Sequence, residues 1–515
     1  MKISRRSAVL LAFRAIGLAA LIPGGPPVQA QTPTPSIVDP KLAVRTVASG
    51  FVTPINLAFI GRNDMLVLEK NTGRVLRVVD GAVQSTVLDL AVNSASERGL
   101  LSIALHPKFS RNHAVYLYWT CTAPPPTDPF MPSLTECPDT PELGADTTDV
   151  LAVPLLGNRV DRFIWDGTSL TFDRNIIKLR AFQNDATNTG PRGNHNGGVI
   201  VFGGKGHGDD DRDKLFIQMG DNGRRGQMQN LEDGPFGPGI ADDQFGGPEP
   251  DDAHLTGVIL RLNDDGSPPS DNPFFEHGAA VGGEVGANLQ KVFAYGIRNG
   301  FGMAVDPLSG DLWEQENGDD SFSELNRVEP GMNSGWVQIM GPVSRVAQFK
   351  EIETSPQFLG LQQTRWPPTN IKDTPEEALD SLFALPGSRY SVPEFSWKYE
   401  VAPGAIGFVG RGLGPRYRND LIMGGARPFL EGGHLFRFEL TRSRRSVAVD
   451  DPRLDDRVAD NVAKFEITES ESLLFGRNFG TITDIKTGPD GTLYLVSIDH
   501  GNVYQIRRRQ GGPKP

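Results

Sequence analysis

The stretch RGNHNGGVIVF (192–202) sets one of the chain's eight histidines directly before a short run of β-branched residues. Imidazole changes charge nearest to neutral pH, so His195 is a candidate general base. A carboxylate on one ring nitrogen would fix its tautomer and raise the basicity of the other nitrogen. Asp221, in MGDNGRRG (219–226), is the candidate partner. Between the two lie one strand pattern, an acidic turn and a second strand pattern, and a hairpin of that kind returns Asp221 to the end where His195 lies. The competing reading is a turn histidine and a turn aspartate that never meet.

A second cluster spans YGIRNGFGMAVDP (295–307) and WEQENGDDSFSELNRVEPGMNSGW (313–336). Arg298 precedes a strand and suits a fixed cation that polarises a carbonyl or holds a carboxylate through two parallel hydrogen bonds. Glu316, Asp319, Asp320 and Glu324 crowd a glycine-containing segment read as an irregular loop. Its oxygen ligands suit Ca²⁺ better than zinc, but the spacing is not that of an EF-hand, and a solvated acidic loop is the alternative. The tip HGDDDRDK (207–214) reads as a solvated hairpin. The chain lacks G-x-x-x-x-G-K-[ST], H-E-x-x-H and G-x-S-x-G, and GRGLGP (410–415) has the wrong glycine spacing for a dinucleotide site. NAD, FAD and nucleoside triphosphates are therefore disfavoured.

These residues need a scaffold, and several segments share one grammar of strand, turn, strand, turn, strand. NLAFIGRNDMLVLEKNTGRVLRVVDG (56–81) shows it most plainly, and GVIVFGGKGHGDDDRDKLFIQMGDNG (198–223) repeats it with a longer tip. Segments 302–318 and 484–506 follow the same pattern, with looser copies at 101–119 and 410–440; VDRFIW (160–165) and GVILRLNDDG (257–266) complete two units. Such meanders cannot bury a face alone. Radial stacking of four-stranded antiparallel blades solves this, so the expectation is all-β: a six-bladed β-propeller whose inner strands deliver residues from every blade to one channel. Helical periodicity is scarce, with TPEEALDSLFAL (374–385) the best candidate.

A net charge of −12 argues against nucleic acid or an anionic membrane as partner. Residues 1–30 read as an export signal, with a basic start, an apolar stretch from Ala8 to Ile22 and the small-residue exit Val28-Gln29-Ala30. Arg14 interrupts the apolar run, and no later stretch has the length of a membrane span. Residues 31–515 are then expected to form one propeller domain outside the cytoplasm, periplasmic or secreted, with loop insertions at 121–148 and 227–256. Cys121 and Cys137, the only cysteines, bracket CTAPPPTDPFMPSLTEC. In an oxidising compartment they most simply form a disulfide, which for a loop of about 15 residues contributes roughly 3 kcal/mol.

ERGLLSIALHPKF (97–109), NHNGG…MGDNGRRGQ (194–227), GVILRLNDDGSPPSDNPFF (257–275), YGIRNGFGMAVDP and ENGDDSFSELNRVEPGMNSGW occur in this order. The set resembles the soluble PQQ-dependent sugar dehydrogenases, the glucose/sorbosone dehydrogenase family, over most of the chain after residue 45. The resemblance implies a quinoprotein oxidoreductase that takes an aldose or similar hydroxyl compound and passes electrons to a separate acceptor. It implies that His195 abstracts a sugar hydroxyl proton, that Asp221 orients it, and that Arg298 and Asn299 contact the quinone edge of PQQ. Gly318 and Asp319 match positions whose carbonyls hold Ca²⁺, and Glu97 stands where the family commonly has a substrate-facing glutamine. The family's late basic cluster is reduced here to GGARPFLEGG, with Arg427 as the available cation and Glu431 inserted; Ser323 replaces a common acidic residue. Two rival functions remain: a Ca²⁺-dependent lactonase-type hydrolase, and a non-catalytic propeller binding carbohydrate or protein.

Overall fold

Turn chemistry sets the first sequential meander. In the computed structural model Pro54–Gly61, Asp64–Glu69, Arg74–Val79 and Ala82–Asp89 form an antiparallel meander. Asp80 and Gly81, with φ of 50° and 84°, supply the left-handed pair that a tight hairpin turn requires. The model describes residues 34–122, 157–181, 193–205, 211–223, 227–231, 255–358, 367–426 and 432–509. All of them belong to one compact unit.

The described strands fall into six sheets, each containing a four-stranded antiparallel meander. Their innermost strands are Pro54–Gly61, Leu100–Leu105, Val199–Phe202, Gly302–Val305, Pro403–Phe408 and Ile482–Thr487. Each packs on the next, and the last packs on the first. Leu42–Ser49 closes the ring by pairing with the last strand, Asn502–Arg508, Val44 opposite Ile506. The fold is an all-β propeller of four-stranded antiparallel blades.

Sheets stacked on both faces lose the alternation of a half-exposed strand. Met65 to Glu69 are all buried, whereas the outer strand Ala82–Asp89 is exposed over its first five residues. Leu66, Leu68 and Val75 of one sheet pack with Leu117, Trp119 and Phe163 of the next. Trp313, Trp397, Phe436 and Phe438 fill a later gap between sheets. Each such side chain contributes about 1.5–3 kcal/mol on burial.

The 374–385 pattern is helical over Pro375–Asp380, where Thr374 Oγ accepts the Glu377 N–H at 3.3 Å and proline opens the first turn. Four further helices among the described residues, Phe109–Asn112, Phe275–Val281, Gly283–Leu289 and Val346–Glu353, have no counterpart in the sequence expectations. Among the described residues no helix is long and apolar enough to cross a membrane. The 1–30 signal segment, Cys137, Arg427 and Glu431 lie outside the described residues, as do most of both insertions.

Candidate active site

In an antiparallel meander the start of the inner strand and the end of the second strand lie side by side. The candidate residues occupy those two positions in successive sheets. Glu97, His195 and Arg298 precede the inner strands Leu100–Leu105, Val199–Phe202 and Gly302–Val305; Asp221 and Gly318 follow the second strands Lys214–Met219 and Leu312–Glu316. Together they reach one end of the channel, where a cavity of about 450 Å³ is lined by Glu97, His195, Arg298, Asn299, Gly318 and Asp319, among others. Asp221 lies behind this wall, fully buried.

The hairpin expected between His195 and Asp221 is present, with Val199 opposite Gln218. His195 Nδ1 lies 2.6 Å from Asp221 Oδ1, leaving Nε2 as the nitrogen free to act toward the cavity. His195 adopts φ 54°, a left-handed conformation costly for a side-chain-bearing residue. Its surroundings hold it there. Glu97 Oε2 accepts the His195 N–H at 2.6 Å, and Arg98 Nη1 donates to the Gly193 carbonyl. Asn196 Nδ2 donates to the same carbonyl at 2.9 Å, and Asn158 and Tyr118 hold Asn196 in turn.

Glycine permits the convergence. A methyl at Gly220 would meet the His195 carbonyl at 2.5 Å, the Arg298 carbonyl at 2.8 Å and Asn299 Oδ1 at 3.0 Å. Gly220→Ala is therefore expected to push the base and the cation apart, costing about 1–3 kcal/mol of stability and more in turnover. Paired thermal melts and steady-state rates check this; a variant with wild-type values in both would refute it.

Arg298 is 3% exposed. Its Nη2 donates to Asp319 Oδ1 at 2.9 Å and its Nη1 to the Asn317 carbonyl at 3.0 Å. Burial opposes its charge, but Asp319, Asp221, Glu400 and Glu353 outweigh that and hold the guanidinium above its ordinary range. Glu316 accepts the Arg298 N–H, and the Arg298 carbonyl accepts the Asp221 N–H at 2.8 Å, so cation and base share a backbone frame. Asn299 Nδ2 donates to Glu97 Oε2 at 3.1 Å. Glu97 thus bridges His195 and Asn299. Arg298 Nε and Asn299 Oδ1 are buried with no partner among the described residues. Buried polar atoms left this way invite a ligand.

The acidic segment differs from the loop expected. Glu316 and Glu324 lie opposite each other on the paired strands Leu312–Glu316 and Ser321–Val328, fully or nearly fully buried. Alternating charge misled the sequence reading, because these strands are covered on both faces. Burial first, and neighbouring carboxylates second, push Glu316 well above the ordinary carboxylate range. The carboxylate oxygens of Asp319, Asp320 and Glu353 lie within 4.8 Å of one another. Side-chain cations already meet two of them: Arg298 pairs with Asp319, and Lys464 Nζ lies 2.7 Å from Asp320 Oδ1. Lys464 also donates to the Asp319 carbonyl at 3.0 Å. The acidic tip is likewise recruited, as Asp211 pairs with the buried Arg261.

Glu353 is buried beside Asp319, and burial pushes its carboxyl up to about 8. A carboxyl raised in the fold contributes stability that is complete below its unfolded value and lost as pH rises through the folded one. In chelator, stability is therefore expected to fall between about pH 5 and 8, with a slope of up to roughly 1.4 kcal/mol per pH unit from this group. Glu353→Gln should flatten the fall in a calorimetric pH series; an unchanged slope would count against it.

Lys464, Lys70 and Glu400 line the cavity although the sequence reading did not single them out. Lys70 follows the second strand Asp64–Glu69, the same place in its meander that Asp221 holds in another, so aligning the repeats could have found it. Its ammonium donates to the carbonyls of Ser94 and Ser96 at 3.1 and 3.0 Å, and burial pushes it down to about 8. Lys464 lies in a loop after Val458–Ala459, where no repeat signal exists.

Fold and site thus define a β-propeller with a histidine–aspartate dyad, a buried arginine and half-buried lysines converging on a polar cavity at one end of its channel. The sequence model of the Glucose / Sorbosone dehydrogenase family matches residues 51–359, and the chain belongs to that family. Aldose sugar dehydrogenase YliI of Escherichia coli (strain K12) is 26% identical over 319 residues, 62% of this chain and 61% of the relative. Quinoprotein glucose dehydrogenase B of Acinetobacter calcoaceticus is 26% identical over 307 residues, 58% of this chain and 52% of the relative. The match thus spans less than two thirds of either relative. Among solved structures, the PQQ-bound aldose sugar dehydrogenase of Streptomyces coelicolor superposes with a TM-score of 0.53 at 22% identity, covering 91% of this chain and 99% of that one. The apo-form of the soluble Escherichia coli aldose sugar dehydrogenase gives a TM-score of 0.57 at 21% identity, covering 91% and 100%.

Proposed function

We propose that the protein is an exported quinoprotein oxidoreductase that oxidises an aldose or similar hydroxyl compound with Ca²⁺-held PQQ, on a propeller of six blades. The observation that carries this reading is the His195–Asp221 pair at 2.6 Å facing a cavity that Arg298 also lines. Asp221 holds the Nδ1 proton, His195 Nε2 takes the proton of the substrate hydroxyl, and the imidazolium so formed stays paired with the carboxylate. Glu97 and Asn299 keep the histidine loop and the cation-bearing segment in register. Glu97 also faces the cavity, where it suits a substrate hydroxyl.

The residues present fit the cofactor. Arg298, Lys464 and Lys70 give the wall three cations for an anionic quinone, where the sequence suggested Arg298 and Arg427. Arg298 Nε and Asn299 Oδ1 offer a donor and an acceptor not otherwise used among the described residues. Carbonyls at Gly318 and Asp319 are hard oxygen ligands of the kind Ca²⁺ takes, the Asp319 carbonyl also accepting from the Lys464 ammonium at 3.0 Å. PQQ held there would supply the acceptor for the hydride leaving the substrate carbon.

An export signal over 1–30 and a single domain over 31–515 belong to the same reading, with a periplasmic or secreted location, a sugar as small-molecule partner and a separate electron acceptor. The first insertion begins where the second strand Ala114–Thr120 ends, the place in its meander that Asp221 holds in another, which supports a role for it at the channel mouth. A Cys121–Cys137 disulfide would staple the first insertion where Cys121 is buried; two free thiols in the exported protein would overturn it.

The test is a titration of the purified, signal-free protein with PQQ in Ca²⁺, following absorbance and dye reduction with a panel of aldoses. Saturable binding with sugar-dependent turnover is expected. Absence of binding, with lactone hydrolysis in Ca²⁺ alone, would replace this reading with the hydrolase.

A further inference from the structure

We infer that Trp336 is a positioning residue that ties the His195–Asp221 dyad to Arg298, an inference that rests on the base role proposed for His195. Trp336 is fully buried, and its Nε1 donates to Asp221 Oδ2 at 2.9 Å. The other carboxylate oxygen, Oδ1, faces His195 Nδ1 at 2.6 Å and accepts the Gly223 N–H at 2.8 Å. The indole N–H therefore decides which oxygen faces the imidazole and opposes rotation of the carboxylate.

The same ring carries the cation, with the Arg298 guanidinium carbon 5.3 Å from its centroid. A guanidinium over an indole face is held by the ring's quadrupole. One side chain thus fixes the carboxylate behind the base with its edge and the guanidinium with its face. Its backbone is fixed too: the Trp336 N–H donates to the Gly296 carbonyl at 3.1 Å, and its carbonyl accepts Asn230 Nδ2 at 2.8 Å.

Packing alone does not demand this hydrogen bond. Trp313 and Trp397 are equally buried, and their Nε1 atoms have no partner among the described residues. The charged and titratable groups facing this unit are His195 and Arg298, with Glu97 on the His195 N–H, Glu316 on the Arg298 N–H, and Asp319, Glu400 and Glu353 acting on Arg298.

Trp336→Phe keeps an aromatic face and removes the donor; 3-benzothienylalanine at 336 keeps the indole shape and removes only the N–H. Two readouts separate positioning from packing. The first is the titration midpoint of His195, followed by ¹⁵N NMR in protein labelled at histidine, with His195→Ala identifying the signal. In a variant with a cooperative melt, the midpoint is expected to move by about half a pH unit or more, because the carboxylate behind the imidazole has lost a donor. The second is turnover of the PQQ-loaded enzyme, where kcat is expected to fall about tenfold with KM within about twofold. An unmoved midpoint in either folded variant would overturn the inference. A moved midpoint in a protein that never oxidises sugars would keep the positioning role and remove the base assignment instead.

Discussion

His195→Ala is expected to lower sugar-dependent turnover of the PQQ-loaded protein by about 10²–10⁴-fold, the usual contribution of a positioned general base. The ring's carboxylate contact to Asp221, at 2.6 Å, leaves one nitrogen for the substrate, and the left-handed backbone at φ 54° is held by Glu97 rather than by the imidazole. Removing the ring should therefore leave the loop and the cofactor site in place. Stopped-flow dye reduction alongside a PQQ titration makes the measurement. Wild-type turnover would remove the base assignment, and a matched loss of PQQ affinity would show that the ring serves binding instead.

Arg298→Ala carries the other large effect. Its partner Asp319 is only 3% exposed, and taking one charge from a buried pair costs about 3–5 kcal/mol. The same change removes the cation over Trp336 and the unused Nε donor, so stability, PQQ affinity and turnover are expected to fall together. Arg298→Lys restores charge without the planar fork and should recover stability more than turnover. Calorimetry with a PQQ titration on both variants checks this. If Arg298→Ala melts and binds like wild type, Arg298 is not at the cofactor.

Much of this architecture is local in origin. Strand–turn–strand spacing reports the meanders because turn pairs such as Asp80-Gly81 and β-branched strands act over a few residues. The hairpin between His195 and Asp221 is legible for the same reason: 26 residues separate them and one strand pair brings them together. The acidic segment read less well, since burial on both faces of a strand has no signature in charge alone, and Glu316 and Glu324 passed for a loop. Lys70 was concealed for want of aligning one meander on another.

The sequence by itself determined the repeating meander and the propeller class, encoded by neighbours along the chain; it offered the His195–Asp221 pair as a candidate and left open whether the two meet. Tertiary structure alone decided that Glu97 grips His195 across 98 residues, that Trp336 reaches Asp221 across 115, and that Lys464 meets Asp320 across 144. The reason is closure. Most sheets contribute the start of one strand and the end of another, loops such as those carrying Trp336 and Lys464 add the rest, and these points become neighbours when the last inner strand packs on the first.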